Sequence, residues 1–169
     1  MKKYNIFLVL MIIASFTFEA LSQTLAFPSA EGFGSYATGG RGGKVVEVTN
    51  LEDDDLNPSE GSFRWALQQY PGEPIVIVFR VSGVINLAPY VSNARRGELK
   101  CKRDNFTIAG QTAPGDGICI KGNKVNFGGS TNFIIRHLRF RIGVMLDGEG
   151  NPHAAGNGSI GIENASNFM

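Results

Sequence analysis

An asparagine followed by a phenylalanine opens three short apolar segments, Asn105-Phe106, Asn132-Phe133 and Asn167-Phe168, spaced by 27 and then 35 residues. Recurrence on that scale is the signature of a solenoid, in which one repeat cannot bury its apolar side alone and does so by stacking on its neighbours. The residue types suit that role. Asparagine tolerates the tight turn before a strand, and its side-chain amide can stack with the asparagine of the next coil, while the phenylalanine adds one apolar group to a shared core.

The rest of the chain reads as short strands: Val84-Ile85, Phe106-Thr107-Ile108, Ile118-Cys119-Ile120, Val125-Asn126-Phe127, Phe133-Ile134-Ile135, Leu138-Arg139-Phe140 and Ile160-Gly161-Ile162. No helical crossover separates them. An antiparallel sandwich also uses many short strands. Its hairpins need turn signals, however, and Gly122-Asn123 is the one good two-residue candidate. The pattern therefore predicts an all-β chain built as a parallel β-helix. One helix is expected, over Ser62 to Tyr70, where Phe63, Ala66, Leu67 and Tyr70 recur at helical spacing. Ser59 or Ser62 would cap it and Pro71-Gly72 would stop it, just before the buried-strand pattern Ile75 to Phe79. A coil stack exposes an apolar end that needs cover, and this helix is placed to provide it. The chain stops one residue after Phe168, so the stack is expected to be incomplete at its C-terminal end.

A short basic start (Lys2, Lys3), an apolar run from Ile6 to Phe18 and small residues at Ala20 and Ser22 give the layout of a secretory signal peptide, residues 1–22, cut before Gln23. The apolar run is shorter than the roughly 20 residues a spanning helix needs. The expectation is a secreted or periplasmic protein, with no membrane association after signal removal, whose domain covers residues 23–169. Lys2, Lys3 and Glu19 leave with the signal, so 16 basic and 15 acidic residues become 14 of each. That balance gives no drive toward nucleic acid. Glycines at 32, 34, 39, 40, 42 and 43 mark either a loop or a stretch of close backbone approach. They lack phosphate-loop spacing and lead into the strand pattern Val45-Val46-Glu47-Val48. Cys101 and Cys119 could form a disulfide in an oxidising compartment, or Cys119 could be an ordinary small strand residue; the sequence leaves both open.

Longer motifs then become recognisable: Ala26-Phe27-Pro28-Ser29-Ala30-Glu31-Gly32-Phe33-Gly34, Thr38-Gly39-Gly40-Arg41-Gly42-Gly43, Gly61-Ser62-Phe63-Arg64-Trp65-Ala66-Leu67, Thr107-Ile108-Ala109-Gly110-Gln111-Thr112-Ala113-Pro114-Gly115-Asp116-Gly117, and Asn132 through Arg141. In this order they resemble the N-terminal region of bacterial pectate lyases of polysaccharide lyase family 1, from Ala26 to about Gly143. The resemblance implies a right-handed parallel β-helix, export, an acidic polysaccharide substrate (polygalacturonate, pectin), Ca2+, and cleavage by β-elimination. Taking the C5 proton of a galacturonate requires a cation to neutralise the adjacent carboxylate, the role calcium plays in the family, with an arginine as base. The family's ligands and arginine come from coils at and after the end of this chain. One early family ligand aligns near Gly158, where Gly156-Asn157-Gly158-Ser159 holds no carboxylate, and Asp147, Glu149 and Glu163 are out of register. The resemblance therefore assigns no catalytic and no metal-binding residue here, and implies an inactive fragment of a lyase. A non-catalytic polysaccharide-binding or structural β-helix is the alternative, and a β-helical pectin hydrolase a third.

Among individual residues, Arg139 and Arg141 alternate with Leu138, Phe140 and Ile142, which puts both guanidinium groups on one outer face roughly 7 Å apart. They are the candidate substrate-binding pair, gripping carboxylates of the polymer, unless carboxylates on neighbouring coils already neutralise them. His137 and His153 have no nucleophile in motif context. Trp65 is expected to pack at the end cap, and the acids Glu52 to Asp55 to be a solvated loop.

Overall fold

The computed structural model describes residues 23–87, 97–144, 149–152 and 158–169; the signal-peptide segment 1–22, Asp147 and His153 lie outside these. The chain forms β1 (Lys44–Val48), α1 (Phe63–Ala66), β2 (Ile75–Phe79), β3 (Gly83–Asn86), β4 (Leu99–Lys100), β5 (Phe106–Ala109), β6 (Ile118–Lys121), β7 (Val125–Asn126), β8 (Thr131–Arg136), β9 (Leu138–Arg141), β10 (Ile160–Gly161) and β11 (Ser166–Phe168). The strands sort into three faces. The first is β1-β2-β5-β8-β11, the second β3-β6-β9 and the third β4-β7-β10, and every pairing is parallel. Each turn visits the faces in the same order, so three turns stack as a parallel β-helix. Gly122 and Asn123, the one hairpin candidate, instead form the corner between β6 and β7 on different faces.

Register explains why the recurrent dipeptide works. Ile75 pairs with Phe106, Phe106 with Phe133, and Phe133 with Phe168, so like residues stack along the axis inside the coil. Ring centroids lie 5.0 Å apart for Phe106–Phe133 and 5.1 Å for Phe133–Phe168, with planes 6° and 8° from parallel. Phe127 from the third-face side closes on both Phe106 and Phe133 at 5.9 Å. Each such pair contributes about 0.5–1.5 kcal/mol beyond area burial.

The asparagines sit in left-handed backbone, with φ of 56° at Asn105, 55° at Asn132 and 48° at Asn167. Among non-glycine residues asparagine is one of the few that adopts this region readily. Asn132 Nδ2 donates to Asn105 Oδ1 at 2.6 Å and Asn167 Nδ2 donates to Asn132 Oδ1 at 3.1 Å, so the expected ladder is present.

The end cap is shorter than its sequence pattern. Ser62 is the N-cap, its Oγ accepting from the Trp65 N–H at 3.2 Å. Beyond Ala66 the bonds tighten: Gln68 N donates to Trp65 O and Gln69 N to Ala66 O. This tightening rotates Tyr70 off the apolar stripe, leaving it exposed with φ 49°, while Phe63, Ala66 and Leu67 are buried as the periodicity predicts. Phe63 meets Phe79 at 5.7 Å, and the half-buried Trp65 packs on the core. Arg103 clasps the cap to the first full coil: its Nη1 donates to Leu67 O and Gln69 O, and its Nη2 to Tyr70 O and Glu73 O, at 2.8–3.3 Å.

The glycine-rich segment is a strap laid along the axis over the first face. Walking back from β1, Gly43 lies against Pro74 O, Gly40 against Ile75 O and Gly34 against Phe168 O, so a Cβ at Gly40 or Gly34 would collide with backbone. Thr38 N donates to Asn132 Oδ1 at 2.8 Å, and Asn132 Nδ2 returns a bond to Thr38 Oγ1 at 2.7 Å. Successive strap residues thus contact successive coils.

Candidate functional site

Alternation along the second face decides which side chains look outward. Ile118 and Ile120 of β6 are buried, so Cys119 and Lys121 face out. On β9, Leu138 and Phe140 pack toward the core while Arg139 and Arg141 are exposed. Parallel register turns this alternation into two rows across the strands, Val84–Cys119–Arg139 and Asn86–Lys121–Arg141. Arg139 Nη2 donates to Asp116 O at 2.6 Å and Arg141 Nη1 to Phe140 O at 3.1 Å. Both partners are neutral carbonyls.

Among the described residues no carboxylate pairs with Lys121, Arg139 or Arg141. Among the described residues the ion pairs lie elsewhere: Arg64–Asp53 at the cap, Arg80–Glu47 beyond the first face, and Lys100–Glu98 and Lys124–Glu163 along the third. Three cations on adjacent strands repel one another and create a local positive potential that an anionic ligand relieves. The sequence pattern exposed Arg139 and Arg141 but not Lys121, because coils of unequal length hide the register between β6 and β9. Its only signal was the alternation of Lys121 with Ile118 and Ile120.

The remaining candidates take structural roles. His137 is the exposed corner between β8 and β9, in left-handed backbone with φ 56°, and its carbonyl is packed on Gly110. The acids Glu52 to Asp55 are not a merely solvated loop. The Asp53 side chain is 1% exposed and takes a two-pronged bond from Arg64, Nε to Oδ1 at 2.7 Å and Nη2 to Oδ2 at 2.8 Å. Asp54 accepts from the Asn57 and Leu56 N–H groups, which hold its carboxyl below the usual carboxylate range. Asp55 accepts from Gly97 N.

Cys101 and Cys119 are free thiols on opposite sides of the coil wall, Cys101 buried inside and Cys119 on the outer face, which prevents their pairing. Burial pushes the Cys101 thiol up to about 12. Alkylation of the native protein followed by mass spectrometry is expected to label Cys119 first, with Cys101 reacting only on unfolding; equal labelling of both would contradict the buried placement. Cys101 would ionise at 9.0 when unfolded and near 12 when folded. Its contribution to stability is therefore complete below pH 9.0 and lost as pH rises through about 12.

Among the described residues, no three His, Cys, Asp or Glu groups converge to hold a metal ion. Glu163 bonds Lys124 at 3.1 Å, and Gly158 offers no side-chain donor. The described residues do not fit a calcium centre.

Three stacked faces, an asparagine ladder and an end-capping helix define a parallel β-helix. Comparison with known proteins points the same way. The chain is 45% identical over 125 residues to a protein named probable pectate lyase C from Emericella nidulans, covering 74% of this chain and 26% of that protein. It is 38% identical over 148 residues to a probable pectate lyase C from Aspergillus flavus, covering 88% of this chain and 30% of that protein. Against the crystal structure of Jun a 1, the major allergen from cedar pollen, the TM-score is 0.59 at 24% identity, over 82% of this chain and 40% of that one. No family model matches. The two curated relatives are fungal, not bacterial as the sequence resemblance implied, and the chain spans 26–30% of their length.

Proposed function

We propose that this chain is the N-terminal part of a secreted pectate lyase-like β-helix, and that its second face binds polygalacturonate. The observation that carries the reading is a group of three outward cations, Lys121, Arg139 and Arg141, that pair with no carboxylate among the described residues, on a fold whose curated relatives are named pectate lyases. Guanidinium and ammonium groups left unneutralised on adjacent strands suit a polymer that bears one carboxylate per sugar. Calcium-dependent β-elimination is the reaction proposed for the full-length relatives. Calcium, when bound there, supplies the charge that lowers the barrier to taking the C5 proton. In the portion described here the side chains hold the polymer. This also favours, as a second reading, a non-catalytic polysaccharide-binding role for the chain by itself, since its described carboxylates do not converge.

Retention on polygalacturonate gels, run with an ultraviolet assay for unsaturated ends, tests both readings. The chain is expected to be retarded by polygalacturonate. Replacing Arg139 and Arg141 together with glutamine is expected to weaken binding about five- to thirtyfold, as for two exposed charge contacts. Undiminished binding by that variant would sink the assignment of the face. Release of unsaturated product by this chain alone would displace the non-catalytic reading.

A further inference from the structure

Where β3, β6 and β9 end, the second face opens into a groove of about 280 Å³ lined by Asn86, Leu87, Lys121, Ile142 and Val144 among others. Its chemistry is split. Leu87 and Ile142 give it an apolar floor, Val144 stands 66% exposed beside them, and Lys121 supplies a cation. Arg141 is the register partner of Lys121 on the next strand. The two therefore start about 4.8 Å apart along the coil axis, close enough for both to reach one carboxylate. Arg139 belongs to the other row, beside Cys119 and Val84, where no second cation stands.

We propose that Lys121 and Arg141 jointly hold the carboxylate of a single galacturonate whose ring lies in this groove with its C–H face on Ile142 and Val144. A uronate fits a site so divided: its ring presents apolar C–H groups and its one charge projects from the edge. The polymer then crosses the strands along the coil axis, with Arg139 contacting a different sugar. This subsite rests on the reading that the second face binds polygalacturonate.

Titration of the whole chain with polygalacturonate, followed by calorimetry, separates the two claims. Lys121→Gln is expected to weaken binding about three- to fivefold, as for one exposed charge contact, and Lys121→Arg to restore it. A double-mutant cycle is expected to show Lys121→Gln and Arg141→Gln to be non-additive, and Lys121→Gln and Arg139→Gln to be additive. Lys121 is exposed, so circular dichroism of the variants should match the parent. If the parent chain fails to bind polygalacturonate, the reading of the whole face fails. If it binds, and Arg141→Gln weakens it while Lys121→Gln does not, the face stands and the shared subsite is overturned.

Discussion

Replacing Phe133 with alanine is expected to destabilise the chain by about 3–5 kcal/mol, the range for deleting a fully buried aromatic ring. Phe133 is 1% exposed and stacks on three rings, Phe106, Phe127 and Phe168. Its removal leaves a cavity that rigid strands above and below cannot close, since backbone hydrogen bonds on both sides fix the spacing of the coils. Phe168→Ala should cost far less, because that ring is 36% exposed and has Phe133 as its one described ring partner. Urea unfolding followed by circular dichroism measures both. A loss below about 1 kcal/mol for Phe133→Ala would mean that the coils collapse into the gap, contrary to a core of stacked rungs.

Breaking the buried ion pair at the cap is expected to have an effect of the same size. Arg64→Ala strips Asp53, whose side chain is 1% exposed beside the guanidinium, of its two-pronged partner, and breaking a buried pair from one side costs about 3–5 kcal/mol. The guanidinium also bonds Glu98 O and Gly97 O, so these two residues just before β4 loosen with it. Replacing both partners, Arg64→Met with Asp53→Leu, should recover much of the loss, because no stranded charge remains. Thermal melts of the two single variants and the double variant decide the matter. A double variant no more stable than Arg64→Ala would show that the bonds to Glu98 O and Gly97 O, not the buried charge, carry the effect.

How far the sequence foretold this arrangement depended on whether a residue's role is set by its own strand or by another coil. The Asn-Phe dipeptides announced both the ladder and the aromatic stack because one residue type recurs where turn geometry and core position demand it. Arg139 and Arg141 were visible from alternation within β9 alone. Lys121 was not, because its pairing with Arg141 depends on coil lengths that the sequence does not print as a fixed period. The acids beside Asp53 read as solvent-facing since their partner, Arg64, sits on a helix pattern whose apolar neighbours dominate. Tyr70 was misplaced for a local reason: the cap tightens into shorter-range bonds one turn before its periodicity ends.

The strap carries a consequence for the order in which the chain can assemble. Its residues leave the ribosome before any coil exists, yet Thr38 needs Asn132 and Gly34 needs Phe168 as neighbours. Contacts of that sequence separation close late, since the loop entropy they cost is recovered only when everything between them is in place. Turns can therefore be added one by one in the direction of synthesis, while the earliest segment waits unattached. Its docking then acts as a count of completed rungs: a chain with a missing or slipped coil would present its partners at the wrong height, and the strap would find no seat.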